Sequence, residues 1–248
     1  MITKLIFGLL WCLVHLVISI CDLWSCLSNK LECYLISSKV LSKYQSLHLE
    51  RLKCLGVVVD SGEAKNVMEV KQLLHWFSTI GIKYVALYDI EGVIKESLEP
   101  GMEASRDDKS MNSSDVCAYT KTSHGSHRHM VVECLSGSDG KEAIAKAANL
   151  LYSANYNCST HGYGKINIVF TEADMACALR SVGGGGPEPD LLLVYGPVRC
   201  HLGFPAWRLR YTEIMHMGPL KSMKYGSIVK VLYQFSRKHQ NYAVNEGA

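Results

Sequence analysis

Asp60 is the first candidate for chemistry. It closes the apolar run LGVVV, so a carboxylate falls at the carboxyl end of a buried strand, where open α/β sheets bind their ligands. Ser61, Gly62, Glu63 and Ala64 follow, with no arginine to cradle an anion and with Glu63 set to repel one. Capping a helix is the plainer role for Asp60. His124, His127 and His129 flank Arg128 in an irregular stretch; three imidazoles can bind zinc, but the spacing places no fourth ligand, and a solvated loop is the plainer reading. The run Gly183-Gly184-Gly185-Gly186 invites a phosphate loop, yet no Lys-Ser or Lys-Thr follows, and Pro187 and Pro189 lead into a strand instead. That composition suits a flexible connector. The extreme C-terminus reads Asn245-Glu246-Gly247-Ala248. Asn245 can donate hydrogen bonds but carries no charge, and by itself a tail this short is ordinarily disordered.

The segment PDLLLVYGPVRCHLGFPAWRLRYTEI, Pro189 to Ile214, passes from a buried-strand pattern into an aromatic, amphipathic stretch. Phe204, Trp207 and Tyr211 fall at steps of three and four, whereas Trp207, Leu209 and Tyr211 alternate; on either spacing they form a core or interface stripe. The segment resembles the signature end of the cis-prenyltransferases, close to PDLLIRTGGExRxSNFLxWQxxYxEL. Pro189, Asp190, Leu191, Leu192, Gly196, Phe204, Trp207, Tyr211 and Glu213 match that framework. In active members two arginines and a serine grip the diphosphate of the incoming five-carbon unit. Val194, Cys200 and Leu202 stand at those positions here. A hydrogen bond to a charged group is worth about 1.5–3 kcal/mol, so losing two arginines forfeits about 3–6 kcal/mol of diphosphate binding.

The resemblance runs from Leu55 to Ala248 and is nearest to accessory subunits of the Nogo-B receptor type, the partners of dehydrodolichyl diphosphate synthases. It implies an α/β fold with a parallel sheet flanked by helices. It also implies a subunit that is inactive alone and pairs with a catalytic cis-prenyltransferase subunit. The complex would condense isopentenyl diphosphate onto farnesyl diphosphate for dolichol synthesis, and so support protein glycosylation, with Mg2+ in the partner's active site. Asp60 aligns with the catalytic aspartate of the family's MDGNGRWA motif, and Glu213 with an acidic residue near the metal. No metal ligand is assigned to this chain. The tail resembles the N-x-G form, found in plant members, of an Arg-x-Gly motif that reaches across the dimer. By that resemblance Asn245 and Gly247 are catalytic residues acting in trans, Asn245, Glu246 and Gly247 bind substrate, and Phe204, Trp207 and Tyr211 make the dimer face. A self-sufficient homodimeric synthase and a membrane receptor or scaffold remain as alternatives.

The elements that would carry these residues are legible from pattern. Leu5 to Cys21 is apolar except for His15 and Ser19, and apolar character resumes through Leu27, about the 20 residues a bilayer needs. No small-x-small cleavage site follows, so residues 1–27 read as a retained transmembrane anchor rather than a signal peptide. Lys30, Lys39, Lys43, Arg51 and Lys53 follow the span against Lys4 before it, which places the domain in the cytosol, at the endoplasmic reticulum by the resemblance. The ten cysteines include no C-x-x-C pair, and in the cytosol the sequons at Asn112 and Asn157 would go unused. Residues 28–53 read as a stalk helix or linker and 54–248 as one domain. Strands are expected at LGVVVD, IKYVALYD, HMVVECLS, KINIVF and DLLLVYG, with helices between them and a last helix near Gly226 to His239. Glu96 to about Arg128 lacks periodicity and reads as a long loop. The 248 residues are 48% hydrophobic with a net charge of +3; that balance, without a basic aromatic face, excludes nucleic acid as a partner.

Overall fold

The computed structural model describes residues 2–38, 40–44, 47, 49–98, 116–119, 130–160 and 169–238. They divide into two compact units, Leu49–Met223 and the pair of segments Met1–His48 and Lys224–Ala248.

In the larger unit the strands are β1 (Leu55–Val59), β2 (Tyr84–Tyr88), β3 (Val116–Tyr119), β4 (Met130–Leu135), β5 (Leu191–Tyr195) and β6 (Glu213–Gly218). They form one sheet in the order β3-β4-β2-β1-β5-β6. All neighbours are parallel except β3, which pairs antiparallel with β4 at one edge. Every residue of β1 and β5 is buried, as continuous apolar strands covered on both faces must be. Helices α2 (Ser61–Ala64), α3 (Val67–Ile80), α4 (Val93–Leu98), α5 (Lys141–Thr160) and α6 (Glu172–Ser181) lie between them in the chain. Helix α3 buries Val70, Leu73, Leu74 and Phe77, spaced to share one face, and ends at Gly81, whose φ of 98° closes the last turn. Helix α6 begins in a capping box, with Thr171 and Asp174 each accepting the other's backbone N–H.

The sheet extends beyond the expected strands on both sides. β3 lies inside the segment read as a loop, and β6 lies just past the aromatic segment. Glu213–Gly218 is an edge strand whose side chains stay partly or fully exposed, so it carries no buried apolar run to announce it. Of the expected strand KINIVF, residues 165–168 lie outside the described residues, and Val169 and Phe170 are exposed and not in a strand.

The smaller unit pairs α1 (Ile2–Ser37) with α7 (Tyr225–Arg237). α1 is long and apolar enough to span a membrane, with an 18-residue window of mean hydropathy 2.2, and it continues as one helix into the stretch read as a stalk. A 3-10 turn at Ser42–Tyr44 follows. α7 buries Ile228, Leu232 and Phe235 on the expected stripe.

Candidate functional site

Parallel strands deliver the chain at their carboxyl ends, and β1 and β5 lie side by side, so Asp60 and Gly196 meet there. Asp60 N–H donates to the Tyr195 carbonyl at 2.9 Å, and Gly196 N–H to the Gly218 carbonyl at 3.1 Å. Asp60 Oδ2 accepts from Gly62 N–H at 3.2 Å, capping α2, which is the plainer of the two roles its position allowed. Glu63 turns to the neighbouring 3-10 turn and accepts from Leu220 N–H. His216 Nε2 lies 2.9 Å from the Gly196 carbonyl oxygen, which can only accept, so Nε2 carries the proton. Glu213 sits elsewhere. It pairs with Leu191 at the start of β5, about 13 Å of strand from the end where Asp60 lies. Asp60, Glu63 and Asp89 near the strand ends are each engaged by backbone donors, and Asp60 and Glu213 do not converge within one chain. Among the described residues no cluster of three His, Cys, Asp or Glu could hold a metal.

Val194, Cys200 and Leu202, where the family resemblance places a diphosphate clamp, lie beside this end of the sheet. Val194 is fully buried among Val58, Ala86, Tyr88, Leu135, Leu192 and Phe204, and Leu202 packs against that cluster. Cys200 is exposed. Leu202 adopts φ 49°, a left-handed conformation that costs an L-residue about 1–2 kcal/mol, and its carbonyl accepts from the Tyr88 hydroxyl at 3.3 Å. The turn is thus held by the packing of Leu202, by the Tyr88 hydroxyl and by backbone bonds from Cys200 N–H to the Val198 carbonyl and from Phe204 N–H to the His201 carbonyl.

Behind the clamp lies a buried ion pair. Arg208 Nη1 and Nη2 donate to Glu133 Oε1 and Oε2 at 3.1 and 2.7 Å, and both side chains are under 5% exposed. The remaining partners complete the set. Tyr84 OH donates to Glu133 Oε2 at 3.0 Å, and Arg208 also donates to the Pro187 carbonyl at 2.7 and 3.0 Å. Gly186 passes directly over the pair: a Cβ there would collide with both the carboxylate and the guanidinium. The tetraglycine is therefore a close-approach segment at this point rather than a mere connector. Asp190 ties the start of β5 to β1, accepting from Lys53 N–H at 2.7 Å and Cys54 N–H at 3.0 Å. Sequence pattern missed Glu133 and Arg208, although a lone glutamate in the apolar run HMVVECLS is the signal of a buried pair.

The aromatic stripe splits. Phe204 is fully buried, edge-on to Tyr88 with ring centroids 5.6 Å apart, so its place is in this chain's own core and not on a face offered to a partner. Tyr211 is exposed. Trp207, half-buried, lines an apolar depression of about 390 Å³ with Leu151, Tyr152, Phe170 and Met175, between α5 and α6. A 3-10 turn at Ala206–Arg208, not a helix or strand, separates their directions. Asn245, Glu246 and Gly247, and likewise His124, His127 and His129, lie outside the described residues.

No protein-family model matches the chain. It is 27% identical over 203 residues to the human dehydrodolichyl diphosphate synthase complex subunit NUS1, covering 77% of this chain and 67% of that protein. For the mouse subunit the figures are 26% identity, 74% and 63%, so the match spans about two thirds of the mammalian proteins. The Schizosaccharomyces pombe subunit is 22% identical, with 86% of each chain covered. The crystal structure of lavandulyl diphosphate synthase from Lavandula x intermedia, in complex with dimethylallyl diphosphate, superposes with a TM-score of 0.52 at 14% identity over 76% of this chain and 97% of that one. The chain is a homologue of these complex subunits, built on the cis-prenyltransferase fold.

On that fold the retained residues of the Pro189 to Ile214 segment have structural work. Asp190 staples β1 to β5, Gly196 takes the strand past Asp60, and Phe204 fills the core. Of the positions where the resemblance places a clamp, Val194 lies in the core, Leu202 packs on it and Cys200 is exposed.

Proposed function

We propose that this homologue is the non-catalytic subunit of a heteromeric cis-prenyltransferase of the dehydrodolichyl diphosphate synthase type. One observation carries the reading: the clamp is filled by apolar side chains, with Val194 inside the core and Leu202 packed on it, while the framework around it is intact. Relatives named as subunits of that complex support it. The chain contributes α1 as anchor, Trp207 and Tyr211 as parts of the dimer face, and the tail residues Asn245, Glu246 and Gly247 as donors to diphosphate in the partner's site. Phe204 supports that face from within. Mg2+ belongs to the partner's site, where it would polarise the leaving diphosphate of the allylic substrate. The setting is the endoplasmic reticulum membrane with the domain in the cytosol, and the reaction is condensation of isopentenyl diphosphate onto farnesyl diphosphate for dolichol, and hence glycosylation.

Co-expression with a catalytic cis-prenyltransferase subunit tests this. The chain alone is expected to make no polyprenyl product, and the pair to make it. Asp60→Ala should leave the rate of the pair within about twofold, because the cap it loses is worth about 1 kcal/mol of local stability and no substrate contact. Deleting Asn245 to Ala248 should lower the rate about 100-fold or more, as removal of a positioned donor does, with assembly intact. Turnover by the chain alone would favour a homodimeric synthase, and a tail-deleted pair at full rate would favour a scaffold.

A further inference from the structure

The smaller unit holds more than an anchor requires. Along α1 and α7 the contacts run in opposite directions: Gly226 N–H donates to Ser37 Oγ at 3.2 Å, and Cys33 Sγ meets Ser227 Oγ at 3.2 Å. Further along, Lys230 Nζ donates to Asn29 Oδ1 at 2.9 Å and Glu32 Oε2 at 2.6 Å. The two helices are therefore antiparallel. From Lys230 to Arg237 α7 rises about 10 Å, which brings its end level with Asp22 to Leu27, the last turns of the anchor.

Glu32 is the hub of the pairing. One carboxylate oxygen takes Lys230 and the other takes the Tyr44 hydroxyl, while the Tyr44 ring packs edge-on against Tyr233 at 4.8 Å. Lys43 Nζ sits 5.4 Å from the centroids of both rings. Gly226 sets the closeness of approach, since a Cβ there would overlap the Cys33 carbonyl oxygen. A membrane anchor needs none of these polar contacts at its end. A segment that must start from one place does.

We propose that the clasp of Glu32 with Lys230 is a positioning device for the C-terminal tail, holding the end of α7 beside the end of the anchor's apolar run. The inference rests on the proposed function of the tail. Lys238 follows α7 directly, and the residues from there to Gly247 reach at most about 30 Å, so the place where α7 ends bounds where the tail can act. Releasing α7 would lengthen the tether by the helix itself, and effective concentration falls roughly as the −3/2 power of that length.

The test uses the full-length chain with its catalytic partner in membranes. Lys230→Glu and Glu32→Lys should each lower kcat at least about threefold, with complex yield and the KM for isopentenyl diphosphate unchanged. The charge-swapped double variant should restore the rate. In a complex lacking Asn245 to Ala248 the same substitutions should have no further effect, since a device that acts through the tail has nothing left to position. If Lys230→Glu prevents assembly, Lys230→Met carries the same comparison. Normal kcat in both single variants beside a costly tail deletion would overturn the clasp alone. A loss that the swap does not rescue, or that persists without the tail, would reduce the clasp to a fold contact. A tail deletion without cost would overturn the proposed function first, and the clasp with it.

Discussion

At the scale of single residues, the charges that matter to this fold are Glu133 and Arg208. Two ions under 5% exposed survive because each hydrogen-bonding group of the pair has a partner, including the Tyr84 hydroxyl and the Pro187 carbonyl. Arg208→Ala should cost about 3–5 kcal/mol in denaturant unfolding by stranding the carboxylate, whereas Arg208→Met combined with Glu133→Leu should restore most of that loss. Gly186→Ala should destabilise in the same assay by forcing a methyl into the pair. Burial pushes the Cys54 thiol up to about 12, which keeps it an inert core residue. Pattern alone exposes the oddity of Glu133 among apolar neighbours. It does not reveal the partner, because Arg208 stands 75 residues away in an aromatic segment with its own periodicity.

Among the elements, the sheet's centre was legible and its edges were not. β1, β2, β4 and β5 are apolar runs whose side chains are buried on both faces, so burial writes itself into composition. β6 satisfies only one side of the sheet and keeps a mixed sequence, and it decides that the aromatic segment ends by turning back into the sheet. That turn leaves Trp207 beside α5 and α6 while Phe204 points inward. Trp207→Ala should weaken association with the catalytic subunit by about 2 kcal/mol, read as a raised Kd, if the depression it lines meets the partner. An unchanged Kd with a lowered Tm would make it a core residue. Between α1 and α7, loss of water contact and then the hydrogen bond to Glu32 raise the Tyr44 hydroxyl to about 12 from an ordinary 10. A raised folded value means that this contact contributes fully below pH 10 and is lost as pH rises through about 12. Tm of the full-length chain should therefore fall in that window as the Tyr44 contact is lost, and Tyr44→Phe should remove that step.

For the whole molecule, the continuity of α1 from Ile2 to Ser37 makes the place of truncation informative. Removing residues 1–27 should release the chain from membranes while sparing Asn29, Glu32, Cys33 and Ser37, so the pairing with α7 survives. Removing residues 1–37 should release it and also lower Tm, because α7 then loses its apolar and polar partners. Cys177 and Cys200 are exposed on the larger unit. A membrane-impermeant thiol reagent added to sealed microsomes should label both, with mass spectrometry of their peptides as the readout; labelling only after detergent would place the domain in the lumen.

Sequence by itself determined the central strands β1, β2, β4 and β5, the helices α3, α5, α6 and α7 and the apolar helix at the N-terminus, whereas the reading of Val194, Cys200 and Leu202 as a lost clamp came from the family resemblance. Strands and helices are local matters of residue type and period, so a buried strand is visible wherever it occurs. Only the tertiary structure decided that Asp60 spends its carboxylate on a helix cap and that Glu213 stands at the far end of the sheet from it. It alone paired Glu133 with Arg208 beneath Gly186, divided Phe204 from Trp207, and laid α7 back along α1. The physical reason is common to all of these. Register and chain reversal bring together residues far apart in sequence, and whether a side chain faces core, cleft or solvent depends on neighbours that no local period encodes.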